Sequence, residues 1–445
     1  MKVFRFRHSA FLPFRLFPTA VFLFLAPSLF SQKPLTLSAA IEIGLKNNYS
    51  ILLETNQAQI DKNNNTIGNA GFLPTLNLNV TQSNTLANTH QEQASGAVKD
   101  VSNAKTSNLN AGAALNWTVF DGMNMFVTKK MLNVLEDLGQ NGTRIVIEGT
   151  VSDITLTYYG IIQLGKLVRV AQDAVNLSLQ RKTIAAAKVS LGAGSQLMLL
   201  QSTVDLNADS TRLIQNKTAL ANLHVDLNRL LARDVSEPFS ILDTIKLNKP
   251  VKYDTLVRKA LNQNSQLNAA RLNQEISRLG IKEAQSDRYP TLNLTAGYNY
   301  GTLNSQTGFL QYNQSYGPSY GFNITYNLFN GFNVSRAIKN AKVIMNSGDL
   351  ALEDTEQMLK AELLKLYNLH TSNLEVVKMQ LSNVLVAREN VDIAFEKYKL
   401  GSINDIELRE IQKKFIDAEY ELISAQFEAK KAELELSRLS GDLLR

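Results

Sequence analysis

The sequence predicts an α+β membrane protein with an internal tandem repeat. A transmembrane β-barrel, with four strands per chain, is expected to continue into a long coiled-coil α-helical barrel. Three observations support this fold class. The motif Pro74-Thr75-Leu76-Asn77-Leu78 recurs as Pro290-Thr291-Leu292-Asn293-Leu294. Segments of alternating apolar and polar residues follow each copy, and long proline-free segments with heptad periodicity follow those.

The two copies remain in step over most of their length. The interval from Phe120 to Gly192 equals the interval from Phe329 to Gly401, whereas the interval from the shared proline to each phenylalanine differs. Constant spacing with variation confined to one segment is typical of a duplicated structural unit. The chain is therefore divided into a signal peptide (1–31), a first repeat (32–234), a connector (235–252) and a second repeat (253–445).

The first 31 residues have the composition of a secretory signal. They combine an apolar run near residues 20–30 with no acidic residue and with four basic ones, Lys2, Arg5, Arg7 and Arg15. Most of the formal net charge of +6 therefore belongs to the signal, and nucleic-acid binding is not expected. No later run approaches the ~20 apolar residues that a membrane-spanning helix needs.

Residue usage gives little basis for catalysis. The chain has no cysteine, which excludes disulfides, thiolate metal sites and a cysteine nucleophile. Its four histidines lie far apart, and no phosphate-binding or dinucleotide-binding motif is present. We therefore expect no enzyme activity, no cofactor and no metal site.

Four segments alternate with a period of two, at about 74–87, 106–120, 290–303 and 318–329. The polar partners are almost all uncharged, whereas a soluble sheet usually exposes charged residues, so a membrane sheet is favoured over a soluble one. The expected lumen residues are Asn77, Asn79, Asn116, Asn293, Asn299, Asn323 and Asn327. The expected membrane-interface aromatics are Trp117, Tyr298, Tyr300, Tyr320 and Tyr326. The polar segments 87–105 and 304–317 are expected to form exposed loops.

The remaining segments are predicted to be helical. Residues 35–70 form a helix with a break at Asn47-Asn48, and heptads run through the segments on both sides of Gly192 and Gly401. Glycine tolerates the left-handed conformation that ends helices, so both glycines are expected at hairpin tips. The first long helix is also rich in glycine, which suggests close approach to a neighbouring helix.

Four strands cannot span a bilayer alone, because the sheet edges would leave backbone groups unpaired in hydrocarbon. Two chains supply eight strands and three supply twelve, and only the larger barrel leaves a clear water channel.

The chain resembles the outer membrane efflux proteins, the TolC-like channel subunits, from about Leu35 to Gly441. The resemblance rests on the order and duplication of several short motifs. These are Leu35-Thr36-Leu37-Ser38-Ala39-Ala40 with Asn47-Asn48, the repeated Pro-Thr-Leu-Asn-Leu, Phe120-Asp121-Gly122, Phe329-Asn330-Gly331 and Tyr398-Lys399-Leu400-Gly401.

The resemblance implies a TolC-like homotrimer in the outer membrane of a Gram-negative bacterium, with a large periplasmic portion. It also implies contact with outer membrane lipid, with a periplasmic adaptor protein and with an inner-membrane efflux pump or ABC transporter. The function implied is the passive exit duct of a tripartite efflux or type I secretion system. The alternative is a structural or adhesive periplasmic coiled-coil protein with a soluble sheet. The exported cargo is left open.

Site residues follow from the same resemblance. Glu407 and Glu410 match an acidic ring at the periplasmic entrance, although Asn404-x-x-Glu407 also fits a helix capping box. Tyr398 matches a gate tyrosine, but its heptad position fits packing equally well. Ile403 stands where the family has a gate arginine, and Leu197 and Met198 replace its acidic partners. The tips near Gly192 and Gly401 match adaptor contacts, although simple helix ends explain them too. The tip residues are Ser190, Leu191, Lys399 and Leu400.

Overall fold

The computed structural model describes residues 34–92, 94–249, 251–307 and 310–444, so the predicted signal peptide lies outside the described residues. The first repeat contains helices α1 (Leu37–Asn47) and α2 (Tyr49–Asn64), strands β1 (Thr75–Glu92) and β2 (Val98–Asp121), and helices α3 (Asn124–Ser190) and α4 (Gln196–Leu230). The second contains α5 (Tyr253–Gln263), α6 (Ser265–Ser286), β3 (Thr291–Ser305), β4 (Tyr312–Thr325), α7 (Asn333–Lys399) and α8 (Asp405–Leu439). The two repeats thus have the same order of elements.

The four strands form one antiparallel sheet in the order β1-β2-β3-β4. Within the described residues, β1 and β4 each pair on one side only, so both edges of the sheet are open. Thr118 Oγ1 donates to Asn293 Oδ1 (2.8 Å), and Asn299 Nδ2 donates to Ser319 Oγ (3.3 Å), which places a hydrogen-bonded polar row on one face. The apolar residues of the alternating pattern occupy the other face.

The strand bounds differ from those expected from alternation. Pairing of β1 with β2 continues through Glu92 and Val98 after a register shift at Ala87, and β4 begins at Tyr312, so much of the two expected loops is strand. Backbone pairing does not need an apolar face once a hairpin projects into water. At its other end, β4 stops at Thr325, which pairs with Thr291. Pro290 directly precedes β3 and has no N–H group to continue the ladder of hydrogen bonds.

The long helices form two hairpins of matching size. Helices α3 and α7 each contain 67 residues, and α4 and α8 each contain 35. At 1.5 Å per residue, the longer rods extend about 100 Å. Each long helix packs against the returning helix of its hairpin, and α3 also contacts α8, which joins the hairpins. No helix in the described part of the chain is long and apolar enough to cross a membrane.

One asparagine forms the joint between the two short helices of each repeat. Asn48 ends α1 and caps α2 by accepting from Ser50 N (2.9 Å), while its Nδ2 donates to Leu230 O (2.8 Å). Asn264 does the same in the second repeat, accepting from Leu267 N (2.9 Å) and donating to Leu439 O (3.0 Å). Each side chain therefore satisfies the start of one helix and the end of another. This duplicated joint explains the expected break at Asn47-Asn48.

The connector carries no helix or strand in its described residues. Leu35 N donates to Ser240 O (2.9 Å), and Phe239 packs on the buried core around Ile154 and Tyr158. The connector thus covers the core of the first repeat.

The glycines of α3 differ in their roles. A Cβ at Gly139 would lie 2.4 Å from Asp61 Oδ2 of α2, whereas Gly149 has nothing within 4 Å.

Candidate functional site at the hairpin tips

Both helical hairpins end in the same backbone geometry. Gly192 (φ 73°) and Gly401 (φ 76°) adopt the left-handed conformation. The residue after each glycine donates back into the helix, with Ala193 N to Lys188 O at 2.8 Å and Ser402 N to Lys397 O at 2.9 Å. This 6→1 bond is the signature of a Schellman end.

The turns present apolar side chains to solvent. Leu191 is 82% exposed and Leu400 is 81% exposed. Ser190 and Lys399 are also exposed, and Lys399 Nζ pairs with Glu396 at 2.7 Å. Each hairpin tip therefore exposes one large leucine to solvent at the same position of its turn.

The returning helix α8 begins with half of the expected capping box. Asn404 Oδ1 accepts from Glu407 N (2.8 Å), which caps the first turn. Within the described residues, the Glu407 carboxylate has no hydrogen bond and no ion pair, and the side chain is exposed. Glu410, one turn later, is exposed and pairs with Lys414 at 3.6 Å. The Glu407 carboxylate therefore contributes negative charge to the surface beside the tip without helping to cap the helix.

Tyr398 lies inside the tip, between the two hairpins. It is 1% exposed and packs with Ala394 and Leu408. The Lys188 ammonium of α3 lies 4.0 Å from the centre of its ring and donates to the Tyr398 carbonyl oxygen at 3.1 Å. Burial raises the pKa of the Tyr398 hydroxyl to about 12, and the negative charge of Asp405 adds to the rise. Tyr398 therefore joins α7 to α3 through packing and a cation–π contact.

A buried charge cluster, which sequence reasoning missed, lies between the hairpins just behind the tips. The Arg181 side chain on α3 is fully buried. Its Nε donates to Asp405 Oδ1 of α8 (2.9 Å), and its Nη2 pairs with Asp205 of α4. Arg409 of α8 pairs with Asp209 of α4, with Nη1 to Oδ2 at 2.8 Å. These five residues, the hairpin charge cluster, connect three helices.

The electrostatics of the hairpin charge cluster favour the charged form of Arg409. Burial lowers the pKa of Arg409, but the hydrogen bonds and charge of Asp209 outweigh burial and raise it. Asp209 also accepts from Ser178 Oγ of α3. Breaking a buried ion pair by removing one partner is strongly destabilising, because it leaves the other charge buried and unpaired. The cluster therefore resists separation of the hairpins.

A sequence signal for part of this cluster exists. Asp205 and Asp209 are four residues apart, as are Asp405 and Arg409, so each pair lies on one helix face. Two acids on one stripe of an otherwise apolar heptad helix indicate a basic partner on a neighbouring helix. The identity of that partner depends on tertiary packing.

In the sheet, the expected lumen asparagines and interface aromatics lie on opposite faces. Cross-strand pairs share a face, and Trp117 opposes Leu294, Tyr320 opposes Ala296, and Asn293 opposes both Thr118 and Asn323. Two expected residues, Tyr326 and Asn327, lie beyond the end of β4 and have no partner in the sheet. The described strands therefore support this two-faced pattern for all the other expected positions.

Comparison with solved structures concerns the fold of the protein. Its fold matches solved outer membrane channels. The crystal structure of the Campylobacter jejuni CmeC outer membrane channel matches with a TM-score of 0.79 at 14% identity, covering 92% of this chain and 86% of that one. The outer membrane protein VceC from Vibrio cholerae matches with a TM-score of 0.71 at 14% identity, covering 91% and 96%.

Sequence comparison shows a family match over part of the chain. The model of the outer membrane efflux protein family matches residues 256–442. The outer membrane protein TolC of Vibrio cholerae serotype O1 is 22% identical over 303 residues, which cover 66% of this chain and 68% of that protein. TolC of Salmonella enteritidis is 25% identical over 191 residues, which cover 42% and 39%.

The resemblance to the outer membrane efflux proteins is thereby confirmed. The second half of the chain is similar to the outer membrane efflux protein family, and the whole chain is similar in fold to solved outer membrane channels. The matched family consists of channels, which are not enzymes.

Proposed function

We propose that three copies of this chain form the passive exit duct of a tripartite efflux or type I secretion system. The observation that carries the proposal is the four-stranded sheet with two open edges, continuous with helices about 100 Å long. In hydrocarbon, open edges must be paired, so neighbouring chains must continue the sheet. Twelve strands form a barrel with a water-filled lumen, which eight strands do not.

Trimer formation is tested by native mass spectrometry of the detergent-purified protein, supported by chemical cross-linking. We expect a single assembly of three chains and a cross-linked ladder that ends at the trimer. A species of one or two chains that conducts ions in a planar bilayer would contradict the proposal.

We further propose that the two hairpin tips contact a periplasmic adaptor protein, which opens the duct together with an inner-membrane transporter. The exposed Leu191 and Leu400, held in identical turns, support this role. A single cysteine at either tip, in a chain that has none, is expected to cross-link to the adaptor encoded with the transporter. A cysteine at the exposed Lys246 of the connector provides the control. Equal cross-linking at all three positions would contradict tip-specific docking.

The periplasmic entrance is proposed to carry the acidic ring of Glu407 and Glu410. The exposed, unpaired carboxylate of Glu407 supports this placement. Three copies around one narrow opening focus a negative potential that attracts cations. Tyr398 and the hairpin charge cluster are proposed to hold the two hairpins of each protomer together in the closed state, in place of the gate arginine that Ile403 replaces.

A further inference from the structure

A basic cleft lies where the sheet passes into the helices. It is formed between the first turns of α3 and the C-terminal end of α6 and has a volume of about 520 Å³. Three basic side chains and three large apolar or aromatic ones line it. They are Lys130, Lys282, Arg288, Met123, Phe126 and Tyr289, and all six are exposed.

The lining of the cleft contains basic side chains but no carboxylate. None of Lys130, Lys282 and Arg288 forms an ion pair with any residue in the described ranges. Elsewhere in this protein, basic residues of the helices commonly pair with acids one turn away, as Lys360 does with Glu356 (3.7 Å). Three unpaired cations around one concave surface favour an anionic ligand.

The floor of the cleft is rigid because two backbones meet there. Gly122 adopts a left-handed conformation (φ 72°) immediately before α3, and a Cβ at this position would lie 2.2 Å from Ser286 O of α6. Only glycine permits this approach. The contact fixes the spacing between the helix ends that carry the basic residues.

The cleft opens on the apolar face of the sheet. Phe126 stacks edge-on against Phe72, with ring centroids 5.0 Å apart. The Phe72 carbonyl accepts from Trp117 Nε1 (2.9 Å), and Trp117 lies in the apolar row of β2. This level is the periplasmic end of the sheet, because the strands end there and the periplasmic helices begin.

In the proposed trimer, neighbouring copies are expected to leave the cleft open. The helices contact one another in the order α2, α3, α6, α7, so α3 and α6 are the inner pair of the chain. The outer elements α2 and α7, together with the open strands β1 and β4, would then meet the other protomers. The cleft would face the periplasmic leaflet of the outer membrane from the middle of each protomer.

We propose that this cleft binds the phosphate headgroup of an anionic phospholipid in the periplasmic leaflet. Lysine and arginine side chains donate charge-assisted hydrogen bonds to phosphate oxygens. Phe126, Tyr289 and Met123 contact the glycerol and upper acyl region, as aromatic side chains do at membrane interfaces. Basic pockets beside membrane-embedded segments recognise lipid headgroups in this way. The site would hold the protein at a fixed depth in the membrane.

The chain contains one tryptophan, Trp117, which serves as a reporter beside the cleft. The purified assembly is reconstituted into phosphatidylcholine vesicles. One preparation contains a small fraction of phosphatidylglycerol with brominated acyl chains, and the other contains the same fraction of phosphatidylcholine with brominated acyl chains. The bromine atoms quench tryptophan fluorescence on contact. We expect brominated phosphatidylglycerol to quench Trp117 more strongly than brominated phosphatidylcholine, and high salt to reduce the excess.

Two triple variants provide the comparison. In Lys130→Gln/Lys282→Gln/Arg288→Gln, the ratio of the two quenching efficiencies is expected to fall to one. In the matched control Lys217→Gln/Lys378→Gln/Lys413→Gln, which removes three exposed charges from the periplasmic helices, the ratio is expected to remain that of the unmodified protein.

The outcomes separate this inference from the membrane placement on which it depends. If neither lipid quenches Trp117, the proposed membrane-facing side of the sheet is wrong. If both lipids quench equally in the unmodified protein, the placement holds and the headgroup site is refuted. Millimolar inorganic phosphate, added at constant ionic strength, could instead abolish the stronger quenching by brominated phosphatidylglycerol. That result would identify a site for free phosphate and overturn the lipid assignment.

Discussion

Removing Arg181 should loosen the two hairpins of each protomer. The Arg181 side chain is 0% exposed, and the side chains of its partners Asp205 and Asp405 are 15% and 8% exposed. Arg181→Met keeps the bulk of the side chain but leaves two carboxylates without their cation. Removal of one partner of a buried pair costs about 3–5 kcal/mol. Arg409 Nε lies 3.8 Å from Asp205, but Arg409 is already paired with Asp209, so it compensates the lost cation only in part. We therefore expect a loss of about 3–5 kcal/mol per protomer.

The assay is guanidinium unfolding of the purified protein, followed by helical circular dichroism. Arg388→Met is the matched control, because Arg388 also pairs between helices, with Glu419 at 2.9 Å, but is 61% exposed. An exposed pair contributes about 0–1 kcal/mol. Adding Asp205→Asn and Asp405→Asn to Arg181→Met should recover most of the stability, since no charge is then left unpaired. Equal losses for Arg181→Met and Arg388→Met, or no recovery in the triple variant, would refute the reasoning.

Three further predictions concern single residues. Asn264→Ala removes both hydrogen bonds of the duplicated joint and should cost about 1–2 kcal/mol in the same unfolding assay, whereas Asn262→Ala, on the exposed surface, should be nearly neutral. The pKa of Tyr398, raised from 10.0 to about 12, means that the folded state keeps a proton which the unfolded state loses. The free energy of unfolding should therefore fall as pH rises from 10 to 12. In Tyr398→Phe, the slope of unfolding free energy against pH should decrease by the contribution of one proton. An unchanged slope would contradict the burial of Tyr398. Glu407→Gln should abolish cation preference in planar bilayers with little change in thermal stability, because its carboxylate makes no bond that holds the fold, and unchanged selectivity would remove it from the entrance.

Much of the architecture was predictable because its signals are local. The chain reversals at Gly192 and Gly401 follow from the conformational freedom of glycine, and the break at Asn48 follows from asparagine's ability to cap a helix. The faces of the strands follow from a period of two, which the cross-strand partners of Asn293 and Trp117 reproduce. Each of these features is determined by a few neighbouring residues.

Other features depend on distant parts of the chain. The outer part of the first hairpin lacks strict alternation, so its strand character comes from pairing with the partner strand and is invisible in either segment alone. Arg181 finds Asp405 only because α3 packs against α8, more than two hundred residues away in sequence. The sequence around Glu407 fits both a helix cap and an acidic ring. In the structure its carboxylate makes no capping hydrogen bond, so the ring is the hypothesis that is carried forward.

The central claim is that the sheet forms the wall of a water-filled barrel in the outer membrane. Adjacent residues Asn293 and Leu294 lie on opposite faces of β3 and test it directly, because the chain has no other cysteine to react. Single cysteines at these positions are exposed to a membrane-impermeant thiol reagent in the reconstituted assembly, with a cysteine at the exposed Lys399 as the positive control. The account predicts labelling of Asn293→Cys and protection of Leu294→Cys by lipid. Equal labelling at the two positions would contradict it.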